Sequence, residues 1–340
     1  MHDFLDLTKE SLRYSTDPKE KFALDVLMGL SSTPKSISAK YFYDSLGSEL
    51  FQKIMNLEEY YPTRCESQIL KCYSKNILQR VKANHINIIE LGAGDGKKTK
   101  IMLEEFIKQQ TEIAYFPIDI SRAALESLFQ DFSRIFPNLA IQPVIAEYYE
   151  GMRWLSQNKR GRNLVLFLGS NIGNFSRSQS LAFLKTLWNS LNDGDFLLLG
   201  CDLKKDIDVL LNAYNDSKGV TDEFNLNLLT RMNKELGANF DPSKFHHYGT
   251  YDVKLGAMES FLVSNEKQAV YIKELNRSFS FEPFEAIHCE YSMKYLTSDI
   301  ESMAQGTGFS VVDFFYDDRK YFVDALFKVE KDLQPRRPQN

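Results

Sequence analysis

From about residue 86 onward the chain alternates short apolar runs with amphipathic stretches. That alternation predicts strands and helices in turn, and so a largely parallel sheet. The runs are 86–91 (INIIEL), 114–118 (AYFPI), a weaker 140–146, 164–168 (LVLFL) and 196–199 (FLLL). The fourth is short and wholly apolar, as a central strand buried on both faces should be. Helices are expected at 97–108, with Met102, Leu103 and Phe106 on one side, and from about Ser121. Ser176 can cap another, in which Leu181, Leu184, Leu187, Trp188 and Leu191 recur at helical spacing. Asn192-Asp193-Gly194-Asp195 makes the turn into the fifth strand.

The alternation fails on either side of this block. Residues 1–80 read as helical, with polar connections such as SSTPKSISAK. Between Asp202 and about Pro283 two helices are expected, the better one at 221–236 with Phe224, Leu228, Met232 and Leu236 on one face and Gly237 as its stop. Alternating stretches such as 269–273 follow, and 309–315 and 321–329 close the chain as a hairpin around YDDRK. The fold class expected is α/β: a doubly wound sheet with an antiparallel last strand. The core would be 81–203 with 286–340, and 204–285 an inserted substrate-binding domain with which the segment 1–80 packs.

Composition narrows the function. A length of 340 residues fits about two domains. With 43% hydrophobic and 26% charged residues the chain is that of a packed globular protein. The net charge of −5 argues against a nucleic-acid partner bound through phosphates. No apolar stretch approaches the roughly 20 residues a bilayer requires, and the opening MHDFLDLTKE lacks the basic start of a signal peptide. Cys65, Cys72, Cys201 and Cys289 form no CxxC pair, so neither a disulfide framework nor a metal site is expected. These features describe a cytoplasmic enzyme, expected to be a monomer.

The densest chemical signal is Glu90-Leu91-Gly92-Ala93-Gly94-Asp95-Gly96, directly between the first strand and its helix. Glycine serves where a strand turns sharply into a helix and where a ligand must touch backbone. The spacing is G-x-G-x-G behind an acid, the usual loop of class I S-adenosylmethionine-dependent methyltransferases, rather than the G-x-G-x-x-G of dinucleotide sites. Asp119 follows the second strand, where a carboxylate can accept both ribose hydroxyls, and Glu147-Tyr148 follows the third, where such enzymes contact adenine. Three such positions at successive strand ends favour a methyltransferase over a nicotinamide oxidoreductase.

Over nearly its whole length the chain resembles the L-histidine Nα-methyltransferase family of ergothioneine biosynthesis. The resemblance is carried by KYFYDSLGSELF (40–51), LEEYYPTRCE (57–66), IELGAGDGKKT (89–99), FLGSNIGNF (167–175), LLLGCDLKKD (197–206), AYNDSKGVTDEFN (213–225), NKELGANFD (233–241) and CEYSMKY (289–295). It implies transfer of three methyl groups from S-adenosylmethionine to the α-amine of histidine, giving hercynine. It further implies that Gly92, Lys98, Asp119, Glu147 and Tyr148 hold the cofactor, with Tyr43 near it. Asn174 and Tyr214 would hold the substrate amine and carboxylate, and Tyr60, Glu290 and Ser292 would read the imidazole.

The chemistry of these residues is coherent with that assignment. An asparagine amide both donates and accepts, so Asn174 can orient a zwitterion. Glu290 and Ser292 stand two apart, on one face of a strand, as an acceptor and a hydroxyl for the two ring nitrogens. Lysine in a first helical turn opposes the dipole, so Lys98 invites an anion. The chain departs from the family in Glu147 for Asp, and in Ser260 for Met and Asn171 for Thr near the expected imidazole pocket. The departures leave open a different amino acid as substrate. A catalytically dead cofactor-binding protein is the alternative of another class.

Overall fold

The computed structural model describes residues 4–7, 17–158 and 161–331. The remainder of the expected N-terminal segment (1–3, 8–16) and the end of the expected core (332–340) lie outside the described residues. The chain divides into two units: Met1–Glu10, Pro62–Lys204 and Tyr295–Asn340 in one, Ser11–Tyr61 and Lys205–Lys294 in the other.

In the first unit, β1 (His85–Leu91), β2 (Glu112–Asp119), β3 (Val144–Ile145), β4 (Arg162–Phe167), β5 (Phe196–Asp202), β6 (Phe309–Tyr316) and β7 (Phe322–Val329) share one sheet in the order β3-β2-β1-β4-β5-β7-β6. All neighbours from β3 to β5 run parallel, and the last strand, β7, is antiparallel to both β5 and β6. The expected doubly wound sheet with an antiparallel last strand is therefore what the chain forms. β1 and β5 are buried almost throughout, as mostly apolar central strands are, and they bury Asn87, Glu90 and Asp202 with them. Ser176 caps the helix Arg177–Ser190 in a reciprocal capping box with Gln179.

Two details of this sheet escape the periodicity. The expected strand 140–146 is two short pieces, Ala140–Ile141 and β3, split at Gln142-Pro143, where proline lacks the N–H a continuous ladder needs. Leu5–Asp6 pairs in parallel with β3, so the N-terminus supplies a strand to this sheet.

The second unit has its own apolar core. Phe22, Val26 and Leu30 of the helix Pro18–Ser31 meet Phe224, Leu228, Met232 and Leu236 of the helix Val220–Leu236, which ends at Gly237 in the left-handed region. A sheet of Lys35–Ser36, Ala286–Met293, Ala257–Ser264 and Phe245–Asp252 and a hairpin of Gln268–Ile272 with Arg277–Phe281 complete it.

The division falls at Tyr61/Pro62 and Lys294/Tyr295, not near 80 and 286. The helix Pro62–Val81 buries Cys65, Glu66, Ile69, Leu70 and Ile77 within the first unit, whereas Ala286–Met293 is paired along its length with Ala257–Ser264. Helical pattern alone does not say which core a helix faces. Among the described residues, no helix is long and apolar enough to cross a membrane.

Gly96 opens the helix Lys97–Lys108 at φ +65°, and a Cβ there would stand 2.8 Å from Phe132 and 2.9 Å from Leu128. Gly96→Ala is expected to cost about 2 kcal/mol from the left-handed backbone and overpacking together. The midpoint of urea unfolding checks this.

Candidate active site

The glycine loop is held from below. Gly92, Gly94 and Gly96 all have positive φ. Gly92 N–H and Ala93 N–H donate to the Ile118 carbonyl at 2.8 and 3.3 Å, and Gly94 N–H donates to Asp119 Oδ2 at 3.0 Å. Glu90, at the foot of the loop, is buried and accepts from Thr99 Oγ1 at 2.5 Å and from the Tyr115 hydroxyl. Burial pushes the Glu90 carboxyl up to about 7 despite these two donors. A side chain at Gly94 would meet nothing within 4 Å, so the loop's crest borders open space.

The surroundings of the loop suit a nucleoside. Asp119 accepts backbone N–H groups, from Ser121 at 2.8 Å and from Gly94 among others, and burial raises its pKa despite them. A carboxylate so desolvated has acceptor capacity left for paired hydroxyls. The Tyr148 hydroxyl would lie 2.9 Å from a Cβ at Gly92, and its ring packs edge-on to Phe167 and Phe183. Glu147 is exposed, one residue ahead of the helix Tyr148–Asn158. Asn171 also stands at this loop, its Nδ2 3.2 Å from the same Cβ position, and so borders the proposed cofactor residues. These groups fit S-adenosylmethionine: an acid for ribose, an aromatic side chain beside the loop, and backbone exposed at Gly94.

The anion facing Lys98 is internal. Its ammonium pairs with Glu66, whose side chain is only 1% exposed. Glu66 also accepts the Gly169 N–H, at 2.7 and 3.0 Å to its two oxygens. Burial works against the Lys98 charge, but the Glu66 carboxylate outweighs it, so the amine is held above its usual value. Gly200 in β5 leaves the room: a Cβ there would fall 2.3 Å from Glu66 Oε1. Next to this group Asp324, in the middle of β7, is wholly buried, and neither of its oxygens has a hydrogen-bond partner among the described residues. Burial, then the neighbouring Glu66 charge, raise its pKa well above 3.8.

Beyond Gly169 the backbone stays left-handed at Ser170 (φ +57°) and enters the turn Asn171–Asn174. Asn174 is its last residue and half-buried, and its amide makes no hydrogen bond among the described residues.

The second unit carries the other expected positions. Tyr43 packs on Phe51 and Phe224, with ring centroids 5.5 and 5.8 Å apart, and Tyr60 packs on Phe51 at 6.2 Å. Glu290 and Ser292 lie on the strand Ala286–Met293 opposite Ser260 and Met258. The pairing skips Cys289, a β-bulge, so Cys289 and Glu290 both turn inward and Glu290 joins Ser260 and Ser292 on one face. The Glu290 carboxyl makes no hydrogen bond among the described residues, and burial pushes it up to about 7 against the pull of Lys294. The Tyr214 hydroxyl donates to Ser292 Oγ at 2.6 Å, and Lys294 Nζ donates to both, at 3.1 and 2.8 Å.

Glu66, Asp324 and Lys294 escaped the reading of the sequence. Each carried a signal: Glu66 and Lys294 lie inside segments matching the family, and Asp324 interrupts an apolar strand.

Residues 22–329 match the family described as histidine-specific, SAM-dependent methyltransferase. The chain is 36% identical over 281 residues to the histidine N-alpha-methyltransferase of Mycolicibacterium smegmatis, covering 83% of this chain and 86% of that protein. It is 33% identical over 294 residues to that of Mycobacterium tuberculosis, covering 86% and 90%. Ergothioneine biosynthesis protein 1 of Schizosaccharomyces pombe is 28% identical over 303 residues, covering 85% of this chain and 39% of that protein.

The Glu66 group gives a stability prediction with a sign. Asp324 keeps its proton in the folded state above 3.8, where the unfolded chain has lost it, so its contribution falls as pH rises from there. In Asp324→Asn, which cannot ionise, that decline should be shallower in urea titrations at stepped pH. Glu66→Leu strands the Lys98 charge and should cost about 3 kcal/mol.

Proposed function

On the footing that the chain belongs to the histidine-specific, SAM-dependent methyltransferase family, we propose that it trimethylates the α-amine of L-histidine to hercynine, a step of ergothioneine biosynthesis. The observation that carries the reading of this site is Glu290: a half-buried carboxyl without a hydrogen-bond partner among the described residues, on one face with Ser292 and Ser260. An apolar side chain would leave that carboxyl uncompensated, whereas an imidazole N–H satisfies it. The polar Ser260 beside it supports imidazole over a hydrophobic group.

S-adenosylmethionine supplies the methyl as an electrophilic sulfonium substituent. Gly92 and Gly94 would let it approach backbone, Asp119 would accept its ribose hydroxyls, and Tyr148 with Glu147 would border its base. Lys98, neutralised by Glu66, would act chiefly by holding the loop. Tyr43 and Tyr60 would present aromatic faces, which tolerate the fixed cation that each completed cycle approaches.

In-line displacement requires a neutral amine lone pair about 3 Å from the methyl carbon. Asn174 would orient the amino acid by donating to its carboxylate and accepting from its amine. Tyr214, whose hydroxyl accepts from Lys294 and donates to Ser292, would hold the amine with it. Orientation of this kind needs no committed general base, and protons leave through hydroxyls and water.

Incubation with S-adenosylmethionine and histidine should yield a product heavier by three methyl groups in mass spectrometry; unchanged histidine would overturn the proposal. Asn174→Ala should lower kcat/KM at least about 100-fold with the fold intact by circular dichroism. Because Glu290 loses its proton near pH 7 and its carboxylate is the acceptor, kcat/KM should rise with pH through about 7. That contribution should be missing from Glu290→Gln, narrowing the wild-type advantage at lower pH.

A further inference from the structure

Lys294 is 2% exposed and lies just past the strand Ala286–Met293, two residues beyond Ser292. A buried lysine needs a reason, because removing its charge from water is costly unless acceptors receive it. Two hydroxyls are among its acceptors. Lys294 Nζ donates to Ser292 Oγ at 2.8 Å and to the Tyr214 oxygen at 3.1 Å, and the Tyr214 hydroxyl donates onward to Ser292 Oγ at 2.6 Å. The ammonium also lies 4.9 Å from the centre of the Tyr214 ring. Its backbone N–H is fixed to the Gly256 carbonyl at 2.8 Å, so the strand end that carries it is anchored.

Hydrogen-bond polarity follows from this geometry. A serine hydroxyl has two acceptor lone pairs and one proton to give, and an ammonium can only donate. Both acceptor positions of Ser292 Oγ are filled, one by Lys294 and one by Tyr214. What remains is its own hydrogen, which has no acceptor among the described residues. We infer that Lys294 is a specificity-determining residue: it forces Ser292 to be a hydrogen-bond donor toward the substrate, while Glu290, two residues away on the same face, accepts.

Such a site requires a ligand ring with one acceptor and one donor held apart by a single ring carbon. Neutral imidazole has both, one bare nitrogen and one N–H. Imidazolium and indole present donors only, and each would leave the Ser292 hydrogen facing another hydrogen or a C–H. Without the ammonium, a lone pair of Ser292 is released and its hydroxyl can turn, so the discrimination weakens.

The inference rests on the reading of Glu290 and Ser292 as the imidazole site, and the test separates the two. The pair of substrates is L-histidine and a pyrrolylalanine, whose ring keeps an N–H but has no acceptor nitrogen. Wild-type enzyme should favour histidine in kcat/KM by about 100-fold or more, since a site built around a hydrogen bond rejects the analogue lacking it. In Lys294→Met that ratio should fall about tenfold or more, and Ser292→Ala should lower it alike. The double variant should add little to either, as for two members of one network. Lys294→Gln, which keeps an N–H for Ser292 without the charge, should retain most of the preference and serves if the methionine variant does not fold. A merely structural lysine would lower both substrates equally and leave the ratio unmoved; that result, or collapse of the ratio in Lys294→Gln, overturns the role of Lys294 alone. Wild-type enzyme that shows no preference for histidine overturns the imidazole reading itself.

Discussion

The Glu66 carboxylate is the constraint on which the first unit's ligand-bearing edge depends. It is one charge, buried, reached from the helix Pro62–Val81, and it satisfies a group on a helix's first turn and another on a loop. Lys98 belongs to the first turn after the glycine loop, and Gly169 begins the turn that ends at Asn174. Tying both to one carboxylate fixes their spacing more firmly than apolar packing could, because hydrogen bonds to charge are directional and costly to leave unmade. Other features follow from accommodating it. Gly200 has no side chain because the carboxylate occupies that space, and Asp324 is driven toward its neutral form by burial beside it.

The second unit solves a similar problem by a different device. A single bulge at Cys289 changes the side to which the strand Ala286–Met293 presents its residues. His288 remains opposite Phe261 on one face, while Glu290 pairs with Ser260 on the other. A regular strand would have put Glu290 on the face of His288. The bulge therefore gathers an acid and a hydroxyl on one face, and the hydroxyl accepts from the ammonium of Lys294 just beyond the strand.

Much of this was legible in the chain itself. The alternation of apolar runs located β1, β2, β4 and β5 within a few residues, because buried parallel strands must be apolar on both faces. The glycine loop was legible because a strand-to-helix turn with three left-handed positions leaves little choice of residue. The split third strand and the short N-terminal strand were not, since two paired residues carry no periodicity. Lys98, at the start of a helix, invites an anion, and the anion it meets lies 32 residues earlier in sequence.

By itself the sequence determined the order and kind of elements, the sheet's class and the residue types available for chemistry, because periodicity and turn geometry are local properties. Only the tertiary structure decided that Pro62–Val81 faces the first unit, that Glu66 answers both Lys98 and Gly169, and that Lys294 and Tyr214 fill the acceptor positions of Ser292. Those are contacts between residues distant in sequence or turned by an irregular backbone. Donor, acceptor and charge at such places are set by what the folded chain brings within hydrogen-bond reach.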